Sequence, residues 1–325
     1  YIENLSSIDT VVLDKTGTIT IGVPQISHIE TAKGISDKEL ILLAASAEMH
    51  SVHPLAVAIQ KYVRDNKWET PPHETSSTVV ARGMKATVPP FETYSGGDVL
   101  VGSRRFMEEE GVDDVPVTVP ATWGKNILFV AKNREYIGFL TIQDPVRPGM
   151  KKTLNRMRRI GVDEVIMLTG DSKEVAADVA HAMDIDGYHA EILPEDKANY
   201  VMELQQRGNV MMVGDGINDA PALAFADIGV SLGGQKTDIA AESAAITIRS
   251  EDPDKLFDAL QIGRQTMRVI NQNFTATILV NSTAMLLGAL GRISPLWAAV
   301  IHNTATLAVV LNSVRILGPG INIFR

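Results

Sequence analysis

The stretch Asp9-Thr10-Val11-Val12-Leu13-Asp14-Lys15-Thr16-Gly17-Thr18 decides the fold. Three consecutive apolar residues run into an acid, and a Lys-Thr-Gly-Thr turn follows. A short apolar run closed by turn residues is the pattern of a strand buried on both faces. The pattern recurs at Val165-Ile166-Met167-Leu168 before Thr169-Gly170-Asp171, and at Val210-Met211-Met212-Val213 before Gly214-Asp215-Gly216. Between the runs lie stretches of helical period at 149–160, 173–183 and 197–207. Strands alternating with helices predict a parallel sheet wound on both sides. In such a sheet ligands bind outside the carboxyl ends of the strands, where all three acidic motifs fall.

Residues 25–142 interrupt this alternation. A helical pair at 37–47 and 54–63, a Pro- and Thr-rich stretch, and short strands at 127–131 and 136–142 predict an inserted α+β domain. Residues 1–24 with 143–265 then form the doubly wound α/β domain. Beyond them, 274–290 contains no charged residue, and in 293–314 the one ionisable residue is His302. Each run approaches the roughly 20 residues that span a bilayer as a helix. Gly291, Arg292, Ser294 and Pro295 break the two apart. We therefore expect a transmembrane helical hairpin in 266–325, with helices at about 269–290 and 294–316.

The chain has 325 residues, 45% of them hydrophobic, so it can bury more than one core. A net charge of −9 argues against a nucleic-acid surface, which needs a basic face. The chain has no cysteine, which excludes a disulfide framework or a thiolate metal site within these residues.

Chemistry follows from the strand ends. A loop of backbone N–H groups after Asp14 can hold phosphoryl oxygens. A carboxylate is a weak nucleophile, and attack on phosphate requires cations to neutralise the incoming charge. Asp215 and Asp219 are hard oxygen ligands suited to Mg²⁺. Lys197 can screen the transferring group, and Thr169 and Asp171 add a hydroxyl and an acid.

Asp14-Lys15-Thr16-Gly17-Thr18-Ile19-Thr20 resembles the phosphorylation signature of P-type ATPases. Thr169-Gly170-Asp171 and Gly214-Asp215-Gly216-Ile217-Asn218-Asp219-Ala220-Pro221 resemble their two further signatures, and Asp144-Pro145-Val146-Arg147-Pro148 resembles the hinge back into the phosphorylation domain. The resemblance implies a haloacid-dehalogenase-like phosphorylation domain, with Asp14 the phosphate acceptor. It implies Mg²⁺ held by Asp14, Asp215, Asp219 and the carbonyl of Thr16. Lys15, Thr169, Gly170, Asp171, Lys197 and Asn218 complete the catalytic set.

Ser51-Val52-His53-Pro54 resembles the Ser-x-His-Pro element of the heavy-metal-transporting subclass. That implies ATP contacts at Glu48, His53 and Pro54, with Gly83 and Gly102 in the glycine elements. Ala81 and Ala86 stand where that subclass has glycines in a Gly-x-Gly-x-x-Gly loop. The resemblance further implies an amino-terminal half, with an actuator domain and the remaining membrane helices, outside these residues. It implies a multi-pass protein of a prokaryotic plasma membrane whose catalytic domains are cytoplasmic.

His302 and Thr306 share one helical face, and Asn281 is the most polar residue deep in the preceding run. An ionisable group inside a span marks an ion path by default. Imidazole with oxygen ligands suits zinc, cobalt or manganese better than Cu(I). Two other readings use the same residues. One is a soluble phosphatase of the same superfamily, which needs a second acid where Thr16 stands. The other is a non-catalytic nucleotide-sensing module.

Overall fold

A computed structural model describes residues 1–79, 82–116, 126–216, 219–233 and 243–317. The chain separates into two compact units, Tyr1–Ile19 with Val146–Arg325, and Thr20–Pro145. In chain order the described strands begin with β1 (Ile8–Asp14), β2 (Gln25–Thr31), β3 (Thr75–Val79) and β4 (Gly83–Val88). Next come β5 (Gly97–Gly102), β6 (Ile127–Lys132), β7 (Glu135–Gln143) and β8 (Glu164–Leu168). The last are β9 (Gly187–His189), β10 (Asn209–Gly214), β11 (Ile228–Leu232) and β12 (Ile246–Ile248).

In the first unit the sheet order is β12-β11-β10-β1-β8-β9, every pair parallel. From β1 the chain builds outward through β8 and β9, then crosses to the other side for β10 to β12. The reversal lies between β1 and β10, which is the topological switch point of a doubly wound sheet. Alternation along each strand separates two cores. Val11, Leu13, Val165, Met167, Met211 and Val213 face the helices Met150–Arg159 and Asp254–Ala289. Val12, Ile166, Leu168, Val210 and Met212 face the helices Pro194–Gln205 and Ala220–Phe225. Both faces are covered, so the strands read as unbroken apolar runs.

The second unit is a six-stranded antiparallel sheet, ordered β2-β7-β6-β5-β4-β3. One face carries the helices Asp37–Ala47 and Pro54–Asp65. The first of these starts at Ser36, whose side chain accepts a hydrogen bond from the Glu39 N–H. The other face packs Phe106, Met107, Phe129 and Phe139 together.

Two expectations change at the carboxyl end and in the insertion. The helix expected at about 269–290 runs unbroken from Asp254 to Ala289. Its first turns bury Leu256, Phe257 and Leu260 against the sheet. No glycine kink or proline separates that amphipathic part from the apolar part, so the two fuse. Among the described residues, Pro295–Ile316 is the one helix long and apolar enough to cross a bilayer. The preceding run is diluted by Asn271, Gln272, Asn273, Thr275, Thr277, Asn281 and Ser282. In the insertion, Ala86 sits on β4 rather than in a glycine loop. Alternate residues of β4 are buried, as a half-covered strand requires. Ala81 lies outside the described residues.

Candidate active site

Asp14 ends β1 opposite Leu168 in register, so Thr169 begins the neighbouring loop beside it. On the other side Leu13 pairs with Val213, which places Gly214 and Asp215 at the same edge. The three acidic motifs therefore meet at one end of the sheet. After Asp14 the chain makes a tight turn in which Gly17 takes φ +79°, a left-handed conformation that favours glycine. A Cβ at Gly17 would stand 3.1 Å from Asp215 Oδ2. Glycine thus leaves room for the Asp215 carboxylate against the turn.

Lys197 rises from the first turn of the helix Pro194–Gln205 and is buried. Its Nζ donates to Asp14 Oδ1 at 2.5 Å and to Asp219 Oδ1 at 2.7 Å. Burial, and the charge of Asp219 beside it, push the Asp14 carboxyl up to about 7, against the pull of Lys197. Burial likewise raises Asp219, with Lys197 opposing. Burial draws the Lys197 ammonium down, but Asp14 and Asp219 outweigh it and hold the group above the ordinary lysine range. The site is thus a compressed set of carboxylates held around one buried ammonium.

The fit of a divalent cation can be judged from the donors. Asp14 and Asp219 both turn to Lys197, so among the described residues no three such side chains close on one point. Asp219 Oδ2 is nevertheless fully buried and has no hydrogen-bond partner among the described residues. A buried carboxylate oxygen without a donor is costly unless a cation meets it. With Asp215 seated against Gly17 and oxygen donors throughout, the residues fit Mg²⁺.

Thr169, Asp171 and Lys15 of the expected set contact one another. The Thr169 hydroxyl is engaged with Asp171, accepting from its N–H at 3.1 Å and lying 3.1 Å from its Oδ2. Lys15 also pairs with Asp171, at 2.7 Å. Thr169, Gly170 and Asp171 therefore form a brace beside Asp14 that ties back to Lys15. Asn218 lies outside the described residues.

In the second unit Glu48, His53, Gly83 and Gly102 line one cavity of about 360 Å³. Pro54 opens the helix Pro54–Asp65 but is not part of the lining. His53 caps that helix, its Nδ1 accepting from the Leu55 N–H at 3.3 Å. This assigns the ring proton to Nε2, which is left as a donor. Glu48 is raised by burial, with Ser51 and His53 pulling it back. Gly83 and Gly102 pair across β4 and β5. A Cβ on Gly83 would fall 2.6 Å from the Phe106 ring, and one on Gly102 2.7 Å from it. Both glycines therefore serve the packing of Phe106 as well as lining the cavity. Arg82, Ser103 and Asn126 also line it and were not singled out in the sequence.

In the carboxyl-terminal hairpin His302 Nδ1 and Asn281 Oδ1 lie 3.0 Å apart. The Thr306 hydroxyl donates to the His302 carbonyl at 3.0 Å, so it closes on its own helix. A second polar contact joins the helices where Asn312 Nδ2 donates to Asn273 Oδ1 at 2.8 Å.

Residues 8–227 match the haloacid dehalogenase-like hydrolase family. The chain belongs to that family, and within it the chain is similar to heavy-metal P-type ATPases. It is 38% identical over 98% of its length to a zinc-exporting P-type ATPase of Mycobacterium marinum, of which it covers 43%. It is also 38% identical over 98% of its length to a manganese-exporting P-type ATPase of Mycobacterium bovis, covering 44% of that protein. Among solved structures it resembles a zinc-transporting PIB-type ATPase in the E2.Pi state, with a TM-score of 0.84 and 31% identity. That match covers 98% of this chain and 51% of the other. The chain spans less than half the length of the two curated relatives named here.

Proposed function

We propose that this chain carries the catalytic cycle of an ATP-driven pump for a divalent transition metal, through an aspartyl phosphate on Asp14. The observation that carries the reading is the buried Asp14 carboxylate bonded to Lys197 at the switch point of the sheet. Burial concentrates the field of Lys197 on the reacting oxygen. ATP held by Glu48, His53 and the Gly83 and Gly102 backbone is the donor. An Asp14 carboxylate oxygen bonds the γ-phosphorus, and the bond to the bridging oxygen breaks. ADP leaves with that electron pair. Lys197 neutralises charge on the transferring group, and the brace of Lys15 with Asp171 holds the turn. Asp14, Asp215, Asp219 and the Thr16 carbonyl are the residues that would hold Mg²⁺. When bound, that ion supplies charge neutralisation at the phosphoryl oxygens.

Thr16 offers no acid to protonate a leaving alcohol, which favours a persistent phosphoenzyme over a phosphatase cycle. Incubating the chain with γ-labelled ATP and Mg²⁺ tests the reading. Acid-stable label that hydroxylamine removes is expected. ATP binding without such label would leave the nucleotide-sensing reading in its place.

For the intact protein we place the hairpin in a prokaryotic plasma membrane, with both catalytic units cytoplasmic. The relatives named above are zinc and manganese exporters. We assign His302 to the cargo path, with Asn281 as its hydrogen-bonded neighbour and Thr306 one turn on. A divalent first-row ion such as zinc, manganese or cobalt suits this set. His302→Ala in the full-length pump should lower metal-stimulated turnover at least about tenfold or change metal preference, since removing an intramembrane ligand is costly. Unchanged turnover and preference would exclude His302 from the path.

A further inference from the structure

Arg147 is a buried cation that the phosphorylation chemistry above does not use. Its side chain is 4% exposed, although it sits in a segment rich in proline. Each arm of the guanidinium is committed. Nε donates to the Thr18 carbonyl at 3.0 Å, and Nη2 donates to the Gly17 carbonyl at 2.8 Å. Nη1 meets the carboxylate of Glu251. The backbone joins in, because the Arg147 N–H donates to the Ile19 carbonyl at 2.8 Å. Three successive carbonyls of the turn that follows Asp14 are thus drawn to one residue.

Carbonyl and N–H of one peptide unit point in opposite directions, because the unit is planar and trans. Fixing the Gly17 carbonyl on Arg147 therefore turns the Thr18 N–H to the other side of the chain. Fixing the Thr18 carbonyl does the same for the Ile19 N–H. The direction of the turn's donors is then set by Arg147 rather than by the intrinsic preference of a Gly-containing loop. A turn whose central glycine has φ +79° has many alternative conformations, so a rigid fork with fixed geometry is well suited to selecting one. Glu251 completes the device. It lies three residues before the helix Asp254–Ala289, and its carboxylate holds the remaining arm of the fork.

We propose that Arg147, anchored by Glu251, is a positioning residue that fixes the phosphorylation turn for phosphoryl transfer to Asp14. The inference rests on the phosphorylation reading for its catalytic half, while its structural half is read separately. Arg147→Lys keeps the charge but cannot reach both carbonyls and Glu251 at once. In the full chain this variant should form phosphoenzyme at least about tenfold more slowly, as loss of two charge-assisted hydrogen bonds implies. ATP affinity, which depends on the other unit, should stay within about twofold. Amide hydrogen exchange across residues 16–19 should speed up, whether or not the wild-type chain labels. Glu251→Gln changes a carboxylate that is 66% exposed, so the fold is not at risk. It should move both readouts the same way by a smaller factor.

A wild-type labelling rate in Arg147→Lys would overturn the proposal. So would slower labelling with unaltered exchange across the turn, because the loss would then arise elsewhere. Unaltered rate and exchange in Glu251→Gln would overturn the anchoring role of Glu251. If the wild-type chain takes no label, the phosphorylation reading fails. Exchange in Arg147→Lys then still decides whether Arg147 fixes the turn.

Discussion

Replacing Lys197 with methionine is expected to lower the rate of Asp14 phosphorylation at least about a hundredfold. The ammonium stands 2.5 Å from Asp14 and 2.7 Å from Asp219, in a pocket from which water is largely excluded. Removing one partner of a buried ion pair costs about 3–5 kcal/mol. Each ~1.4 kcal/mol added to a barrier is a factor of ten. Methionine keeps the length of the stem and much of its packing, so the loss reports charge rather than a cavity. The direction of the pH effect is also fixed. Lys197 lowers a carboxyl that burial and Asp219 hold at about 7. Without it the group rises further and is more often protonated at neutral pH. Residual labelling in the variant should therefore increase as pH is raised. Initial rates of label incorporation over pH 6–9, at saturating ATP and Mg²⁺, measure both effects. A near wild-type rate would remove Lys197 from the chemistry.

Asp14→Asn should make the fold more stable at neutral and alkaline pH, even though it destroys the acceptor. Burial and the neighbouring Asp219 push the folded carboxyl up to about 7, well above the ordinary carboxylate range of about 4. Between those values the folded state holds more protons than the unfolded one, so stability falls as pH rises. Above pH ~7 the full penalty is present, and below pH ~4 it is absent. A rise of this size is worth on the order of a few kcal/mol, at about 1.4 kcal/mol for each tenfold change in proton affinity. That rise already includes the opposing pull of Lys197, which keeps Asp219 as its partner in the variant, so a net gain on the order of 1–3 kcal/mol is expected. Urea unfolding in EDTA should show a higher midpoint for Asp14→Asn at pH 8, with the difference closing toward pH 4. Added Mg²⁺ should narrow the gap by stabilising the wild type, since a cation bound to the folded state alone favours it. Equal midpoints at pH 8 would show that the carboxylates are not compressed as described.

Much of this architecture was legible before any coordinate. Val11 to Leu13, Val165 to Leu168 and Val210 to Val213 read as buried strands because parallel central strands are covered on both faces. Each leads within three residues to an acid, and the doubly wound rule places those ends together. What stayed illegible was long-range pairing. Nothing local ties Lys197 to Asp14, 183 positions away, or predicts that one ammonium holds Asp219 as well. The Thr169 hydroxyl bonds to Asp171 two residues on, a local contact that the motif's spelling alone does not reveal. Arg147 was visible only as part of a proline-flanked hinge. The start of the helix at Asp254 was obscured because its period changes from amphipathic to uniformly apolar along one unbroken rod.

The most direct test of the central claim is to locate the label. The chain is incubated with γ-labelled ATP and Mg²⁺, quenched in acid, digested and mapped by mass spectrometry. One acyl phosphate is expected, on Asp14 in the peptide containing Lys15 to Thr18, with none in Asp14→Asn. Label on another residue, or label that persists undiminished in Asp14→Asn, would contradict the account.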